Sequence, residues 1–331
     1  MRILFRTEGH HRQGMGDVWG CLALAACCST EADAVCFVVS AGTEAAAFVS
    51  ARGYAVQEVA SLQGEQAALR AFHPDVVVVN KLANPPGYIR WLTSLVGLVV
   101  TMDDAGDEAQ AADLRINGLY HTANAMTDVA YIPLRSEFVT RHAEQKVIRM
   151  HPEELLITQG GSDTYGFTPR IIQALTSMTS RLHCTVVLGP AFRHERELEQ
   201  ALDASVLNVS VVRCAERMDA LMSHADLAVT AGGLTLCELA CTGTPSLVVC
   251  AEAFELETAR RLEGAGTSRV LGFGGELDYR LVPEAVDRLC ADVEARARMS
   301  RCGKALIDGR GGERIIRLIQ DQLLVAEGRR R

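Results

Sequence analysis

This chain of 331 residues has no long hydrophobic run, no positive net charge and no Cys-x-x-Cys pair. Its longest apolar stretches, such as 95–102, have the length of a strand, whereas a bilayer span takes about 20 apolar residues, so no membrane span is expected. The apolar run at the N-terminus is too short for a signal peptide, which predicts a cytoplasmic protein. The formal net charge of -8 argues against a nucleic-acid partner.

Several cofactor motifs are missing as well. The 11 cysteines form no Cys-x-x-Cys pair, so zinc is not expected, and their odd number without an export signal argues against a disulfide framework. There is no Gly-Lys-Ser/Thr of an ATP-hydrolysing loop and no Gly-x-Gly-x-x-Gly of a dinucleotide site. We therefore expect neither a metal nor a bound cofactor, and a nucleotide would enter as a substrate.

Short, nearly continuous apolar runs alternate with segments rich in Ala, Leu and Glu. Unbroken apolar runs are typical of strands buried on both faces of a parallel sheet. The predicted strands are Ile3–Phe5, Val35–Val39, Val76–Val79, Leu98–Thr101, Ala130–Ile132, Leu155–Thr158, Thr185–Leu188, Val209–Val212, Leu227–Thr230 and Ser246–Cys250. Predicted helices include Val18–Cys28, Glu44–Arg52, Arg170–Ser180, Glu195–Ala204, Arg217–Ser223, Leu234–Cys241 and Glu313–Glu327. This order predicts an α/β protein with doubly wound parallel sheets.

The chain is long enough for two domains, and the first series of strands ends near residue 150. We predict two Rossmann-like domains, 1–149 and 150–331, with an interdomain cleft. Ligands of such sheets bind outside the carboxyl ends of the strands, so the loops that follow strands are the candidate binding sites. Three of these loops are unusual.

The first loop, Gly14-Met15-Gly16-Asp17, opens the predicted helix Val18–Cys28. Gly14 and Gly16 allow close backbone approach, and a helix N-terminus offers N–H groups to an anion. Asp17 also fits an ordinary helix cap, a position that Asp favours. The pattern alone favours the cap, because a single Gly-x-Gly is weak evidence for an anion site.

The second and third loops each place two glycines and a hydroxyl residue between a strand and a helix. That arrangement presents N–H groups and a hydroxyl to a phosphate, and two such loops suggest a diphosphate. The residues concerned are Gly160, Gly161 and Ser162 in the second loop and Gly232, Gly233, Leu234 and Thr235 in the third. Glu238 follows one helical turn later and could accept hydrogen bonds from ribose hydroxyls, or could be a solvated helix residue.

With these loops the chain resembles the GT-B superfamily. The nearest branch contains the UDP-sugar hydrolase of pseudaminic acid biosynthesis and glycosyltransferase-like spore-coat polysaccharide proteins. The resemblance runs from Arg2 to about Arg269 and includes Met102-Asp103-Asp104 beside the three loops. It implies a metal-independent, inverting glycosyltransferase. The C-terminal domain would hold a UDP-sugar donor, and the N-terminal domain would hold a small-molecule acceptor.

The sequence departs from this branch at two places near the reacting end of the donor. The hydrolase has a catalytic His directly after its Gly-x-Gly, where this chain has Asp17; Asp17 is the first candidate for the general base, and His10 and His11 are the others. Phe254 and Glu255 stand where the hydrolase carries Asn-Gln and would present a different surface to the sugar. The nucleotide loops are kept, which suggests the same donor chemistry with a different acceptor or sugar.

Three alternatives stay open beside the transferase. Water could replace the acceptor, which would make the protein a UDP-sugar hydrolase, or the chain could be a non-catalytic nucleotide-sugar binder. A UDP-N-acetylglucosamine 2-epimerase shares the two-domain architecture, but the carboxylates and His of that family do not map onto this sequence. The oligomeric state is not indicated by the sequence.

Overall fold

The computed structural model describes residues 1–12, 14–28, 33–119 and 125–330, with backbone alone for 326–330. The chain forms two compact units, each built from segments that are separated in the sequence. The first unit consists of Met1–His10, Met15–Ser136 and Gly309–Arg331; the second consists of His11–Gly14 and Glu137–Asp308. The predicted boundary at 149/150 therefore differs from the observed division, and the C-terminal segment joins the first unit rather than the second.

Within its described residues, the first unit has a parallel sheet of seven strands in the order β3-β2-β1-β4-β5-β6-β7. The strands are β1 Arg2–Thr7, β2 Ala34–Ser40, β3 Ala55–Val59, β4 Val76–Asn80, β5 Leu98–Met102, β6 Leu114–Asn117 and β7 Met126–Thr127. The central strands β4 and β5 are buried along their whole length, as their unbroken apolar sequences predict. The sequence patterns missed β3, β6 and β7, which are polar or very short.

Helices flank this sheet. They are α1 Gly16–Ala25, α2 Glu44–Ser50, α3 Leu62–Phe72, α4 Tyr88–Thr93 and the C-terminal α13 Gly311–Arg330. The start of α13 packs closely on the unit, since a Cβ on Gly311 would lie 2.1 Å from the carbonyl oxygen of Ile132. A bridge between Pro133 and Arg310 adds to this attachment. These contacts explain why the last helix belongs with the first unit.

The predicted strand Ala130–Ile132 is wrong. Residues Val129–Tyr131 form a short 3-10 helix instead. The Asp128 side chain accepts a hydrogen bond of 2.7 Å from the N–H of Ala130, and this cap favours a helical turn over an extended strand.

Within its described residues, the second unit has a parallel sheet of six strands in the order β10-β9-β8-β11-β12-β13. Its strands are β8 Glu154–Thr158, β9 His183–Leu188, β10 Asn208–Arg213, β11 Leu227–Thr230, β12 Ser246–Cys250 and β13 Ser268–Phe273. The helices are α5 Ser136–Ala143, α6 Phe167–Leu175, α7 Glu195–Asp203, α8 Met218–His224, α9 Leu234–Thr242, α10 Glu255–Gly264, α11 Leu281–Ala291 and α12 Val293–Leu306. Fully buried Ile157, Val186 and Val229 lie in its core.

Both sheets are doubly wound, which was predicted. The chain reverses its direction of winding between β1 and β4 in the first sheet and between β8 and β11 in the second. Open α/β sheets bind ligands at such switch points. Among the described residues, no helix combines the length and the apolar content that crossing a bilayer requires.

Candidate functional site

The second and third predicted loops meet at the switch point of the second sheet. Thr158, the last residue of β8, is paired in register with Thr230, the last residue of β11. The loop 159–166 follows β8, and the loop 231–233 follows β11. The sequence therefore identified two loops that the sheet topology brings side by side.

The second loop does not lead directly into a helix, as its pattern had suggested. The helix α6 begins at Phe167, three residues before the predicted Arg170, and Asp163 fills its N-terminus. The Asp163 carboxylate accepts hydrogen bonds from the N–H groups of Phe167 at 2.7 Å and Thr168 at 2.9 Å. Asp163 therefore already occupies the N–H groups at this helix start that a phosphate would need. Burial raises the pKa of Asp163, and the two N–H donors partly offset this.

The third loop leads straight into a helix start. The helix α9 begins at Leu234, directly after Gly232 and Gly233, and its N-cap residue Gly233 has no side chain that could cap it. Gly233, Leu234 and Thr235 are partly exposed. Since the first N–H groups of a helix have no partner within the helix, this end of α9 is suited to hold an anion.

Glu255 binds the backbone of this third loop. Its Oε2 accepts hydrogen bonds from the N–H groups of Ala251 at 2.7 Å, Gly232 at 3.2 Å and Glu252 at 3.4 Å. The carboxylate therefore links the end of β12 to the loop after β11. Burial raises the pKa of Glu255, the three N–H groups lower it, and neighbouring Glu252 raises it further. The net effect is a carboxyl that ionises less readily than usual.

Two further predicted residues of the second unit, Glu238 and Phe254, lie in or next to the helices that follow β11 and β12. Glu238 stands in α9 and is only 9% exposed, so it is not the solvated helix residue that the pattern also allowed. Phe254, just before α10, is 40% exposed and was expected to face the sugar. The structure leaves the ribose and sugar assignments as predictions.

His11 belongs to the second unit and is fixed against the second loop. Its Nδ1 lies 2.7 Å from the carbonyl oxygen of Ala191, and its own carbonyl oxygen accepts a hydrogen bond of 2.8 Å from Thr164 Oγ1. A carbonyl can only accept, so the proton is on Nδ1 and the neutral ring presents Nε2 as an acceptor. Ser162 Oγ lies 2.9 Å from Thr164 Oγ1, which connects His11 to the predicted phosphate loop.

The other residues of the first loop divide between the two units. Gly14 joins the second unit, where a Cβ on it would lie 3.8 Å from Ser162 Oγ, and its φ of 89° is left-handed. His10, Gly16 and Asp17 belong to the first unit. Asp17 lies in the first turn of α1, and its carbonyl oxygen accepts a hydrogen bond of 3.2 Å from the side chain of Asn80. The N-cap position of α1 is Met15, and both assignments of Asp17, general base and ordinary cap, stay predictions.

Met102-Asp103-Asp104, which carries part of the family resemblance, has a structural role in the first unit. Asp104 is fully buried and accepts hydrogen bonds from Asn84 and from the N–H of Gly106, both at 2.7 Å. Asp103 Oδ1 accepts one from the N–H of Leu119. These carboxylates hold the segments after β4, β5 and β6 together.

Sequence reasoning missed three residues around the second loop. Asp163, which directly follows the predicted loop residues Gly160, Gly161 and Ser162, caps α6. Gly189 packs against Gly161 so closely that a Cβ on it would lie 2.3 Å from the Gly161 carbonyl oxygen. Gln159 is buried, and within the described part of the chain neither atom of its amide has a hydrogen-bond partner. Only Gln159, directly before the Gly-Gly pair, carried a sequence signal.

One protein-family model matches part of the second unit. Residues 155–308 match the glycosyltransferase family 28 C-terminal domain. The spore coat polysaccharide biosynthesis protein SpsG of Bacillus subtilis is 23% identical over 236 residues, which cover 68% of this chain and 69% of SpsG. Protein MJ1062 of Methanocaldococcus jannaschii is 24% identical over 268 residues, which cover 75% of this chain but only 55% of that protein.

Solved structures are similar over nearly the whole chain. MurG of Acinetobacter baumannii has a TM-score of 0.68 at 13% identity, covering 97% of this chain and 100% of MurG. The UDP-GlcNAc 2-epimerase of Neisseria meningitidis has a TM-score of 0.62 at 14% identity, covering 97% of this chain and 100% of the epimerase chain. These likenesses establish the fold, which is the GT-B fold, and residues 155–308 are similar to the glycosyltransferase family 28 C-terminal domain.

Proposed function

We propose that this protein is a nucleotide-sugar glycosyltransferase that binds the diphosphate of a UDP-sugar at the start of α9. The observation that carries the proposal is the helix start after Gly232 and Gly233, whose N-cap residue is a partly exposed glycine and which stands at the switch point of the second sheet. N–H groups and the helix dipole favour an anion there. The family 28 domain and the GT-B fold support nucleotide-sugar glycosyl transfer.

The second loop is proposed to contribute the remaining contacts with the diphosphate. Gly160, Gly161 and Ser162 follow β8, the strand beside β11, and Gly161 is packed against Gly189. The buried, unpartnered amide of Gln159 at the same point supports a ligand, because a buried polar group without a partner is costly. Glu238 is proposed to bind the ribose.

The proposed reaction is an inverting transfer. A nucleophilic oxygen of a small-molecule acceptor attacks the anomeric carbon, a new C–O bond forms, and the bond from that carbon to the phosphate oxygen breaks. UDP leaves with the electron pair, and its charge is stabilised by the N–H groups of α9 rather than by a metal. A general base takes the acceptor's proton. In that case EDTA leaves the rate unchanged.

Asp17 remains the first proposed base, and the structure adds support for His11. The hydrogen bond from Nδ1 to Ala191 leaves Nε2 of the neutral ring able to accept a proton. His11 is also connected through Thr164 to Ser162 of the proposed diphosphate loop.

Incubation with a panel of UDP-sugars and dTDP-sugars, with and without mixed small-molecule acceptors, tests the function. We expect UDP release that depends on an acceptor, with a glycosylated product of inverted anomeric configuration by mass spectrometry and NMR. Rapid release without an acceptor would instead identify a UDP-sugar hydrolase. Binding of UDP without turnover would identify a non-catalytic binder, and conversion of the sugar without UDP release would identify an epimerase.

A further inference from the structure

An N–H group of the third loop already binds a carboxyl group of the protein itself. Glu255 Oε2 accepts from Gly232 in that loop and from Ala251 and Glu252 after β12. Its other oxygen, Oε1, would lie 3.2 Å from a Cβ on Gly233, the residue immediately before α9. A carboxylate therefore stands beside the helix start at which the proposed function places a phosphate.

The packing around Gly232 keeps the Glu255 side chain close. A Cβ on Gly232 would lie 2.9 Å from Cβ of Glu255 and 3.0 Å from Sγ of Cys250. Glycine is therefore needed at 232 to let the Glu255 side chain approach the loop. The contacts to three N–H groups and the close packing show a built arrangement rather than a loose surface side chain.

The charged and titratable groups facing Glu255 do not neutralise it. Glu252 adds negative charge, and Tyr165 donates a hydrogen bond of 2.7 Å to Glu252 Oε1. The buried thiol of Cys250 is neutral, since burial raises its pKa to about 12. Arg260 lies on the same helix as Glu255 and acts electrostatically on Cys250, but no ion pair between Arg260 and Glu255 is found among the described residues.

We infer that Glu255 is a positioning residue for the donor: it holds the 231–233 loop in place and takes up a proton when a diphosphate binds beside it. The inference rests on the proposed function. Two anionic groups sharing one helix start repel each other in a partly buried site, whereas a neutral carboxyl keeps its acceptor oxygens for the N–H groups. Donor affinity therefore depends on pH through the Glu255 carboxyl, which does not contact the reacting atoms.

The sign of the coupling follows from linkage. A bound diphosphate favours the protonated form, so the pKa of Glu255 is higher in the complex than in the unbound protein. Binding then takes up a proton between these two values, and affinity rises as pH falls through that range, by at most tenfold per pH unit. Below both values the affinity no longer depends on Glu255.

Calorimetric titration of the full chain with UDP between pH 5.5 and 8.5 tests this. The variants are Glu255→Gln, which removes the charge and keeps an acceptor oxygen, and Glu257→Gln, a matched loss of one charge at an exposed position of α10. At pH 8 we expect Glu255→Gln to bind UDP at least tenfold more tightly than the wild type and Glu257→Gln to equal the wild type. At pH 5.5 all three should agree within about threefold.

Taking the ratio of affinities between variants removes the ionisation of UDP itself, which all three proteins share. Titration of the wild type in buffers of different ionisation enthalpy measures the same proton uptake without any substitution, and we expect an excess over Glu255→Gln approaching one proton. UDP binding with a pH-independent ratio and no excess uptake would overturn the inference and leave the proposed function standing. Absence of UDP binding to all three proteins at every pH would overturn both.

Discussion

The carboxylate of Asp163 accepts a hydrogen bond of 2.7 Å from the backbone N–H of Phe167, the first residue of α6. A second bond, from Thr168, completes the cap. This pair of contacts separates two loops that look alike in sequence. Asp163 occupies the helix start after the second loop, whereas the helix start after the third loop follows directly on Gly233, which carries no side chain.

Replacement of Asp163 should affect folding more than donor binding. We expect Asp163→Ala to lower the free energy of unfolding by about 1–2 kcal/mol, because two N–H groups lose their cap, and Asp163→Asn to cost less, because an amide oxygen still caps. Urea unfolding measures both. UDP affinity of Asp163→Asn should stay within about threefold of the wild type; a tenfold gain would mean that phosphate binds at α6 after all.

Gly189 should be sensitive to even one added methyl group. A Cβ at this position would lie 2.3 Å from the carbonyl oxygen of Gly161, so Gly189→Ala must displace the second loop. We expect a loss of about 1–3 kcal/mol of stability and weaker UDP binding. The control is Gly264→Ala at the end of α10, where no neighbouring atom of the described residues lies within 4 Å of an added Cβ; UDP affinity should be unchanged, and stability should not fall because Ala favours a helix over Gly. Equal UDP affinity in a folded Gly189→Ala protein would argue against loop contact with the diphosphate.

The choice of general base can be decided by turnover. We expect Asp17→Asn to lower the acceptor-dependent rate by at least about 100-fold with unchanged UDP affinity, because a general base contributes on the order of 10²–10⁴-fold. His11→Ala is compared with His151→Ala, a control at an exposed position. If Asp17→Asn retains full turnover and His11→Ala does not, the base is His11 and the assignment of Asp17 is wrong.

Lys146 should make stability depend on pH in the alkaline range. Its Nζ donates hydrogen bonds to the carbonyl oxygens of Ser223 and Ala225, both at 2.6 Å, and to Thr244 Oγ1 at 3.1 Å. Burial lowers the pKa of Lys146 to about 8, below the value of about 10.4 for an unfolded chain. The unfolded state therefore binds more protons in this range, and folding becomes more favourable as pH rises from 8 to 10.

Comparison with Lys146→Met isolates this effect from other groups that titrate at alkaline pH. Urea unfolding at pH 7, 8, 9 and 10 should show the wild type gaining up to about 1 kcal/mol per pH unit relative to the variant above pH 8. Parallel stability curves would show that Lys146 does not change its protonation on folding. The variant should be less stable at every pH, because the carbonyl oxygens lose their donor.

The sequence alone determined the class of fold and the position of two Gly-Gly loops at the ends of strands. Unbroken apolar runs such as Val76–Val79 can only be buried on both faces, so alternation with helices leads to doubly wound parallel sheets. Ligands of such sheets bind outside the carboxyl ends of the strands. The Gly-Gly pairs at 160–161 and 232–233 follow the carboxyl ends of β8 and β11. These inferences depend on neighbours along the chain, which a sequence displays directly.

Tertiary structure decided what depends on residues far apart in sequence. His11–Gly14 belongs to the second unit and Gly309–Arg331 to the first, because these segments pack against residues far away in the sequence. The contact of Gly311 with Ile132 is an example. The contact of Glu255 with Gly232 likewise spans 23 positions and was invisible in the pattern, where Glu255 seemed only to face a sugar. Hydrogen bonds and close contacts depend on distances in space. The order of residues in a single sequence therefore does not show which N–H group will donate to a given carboxylate.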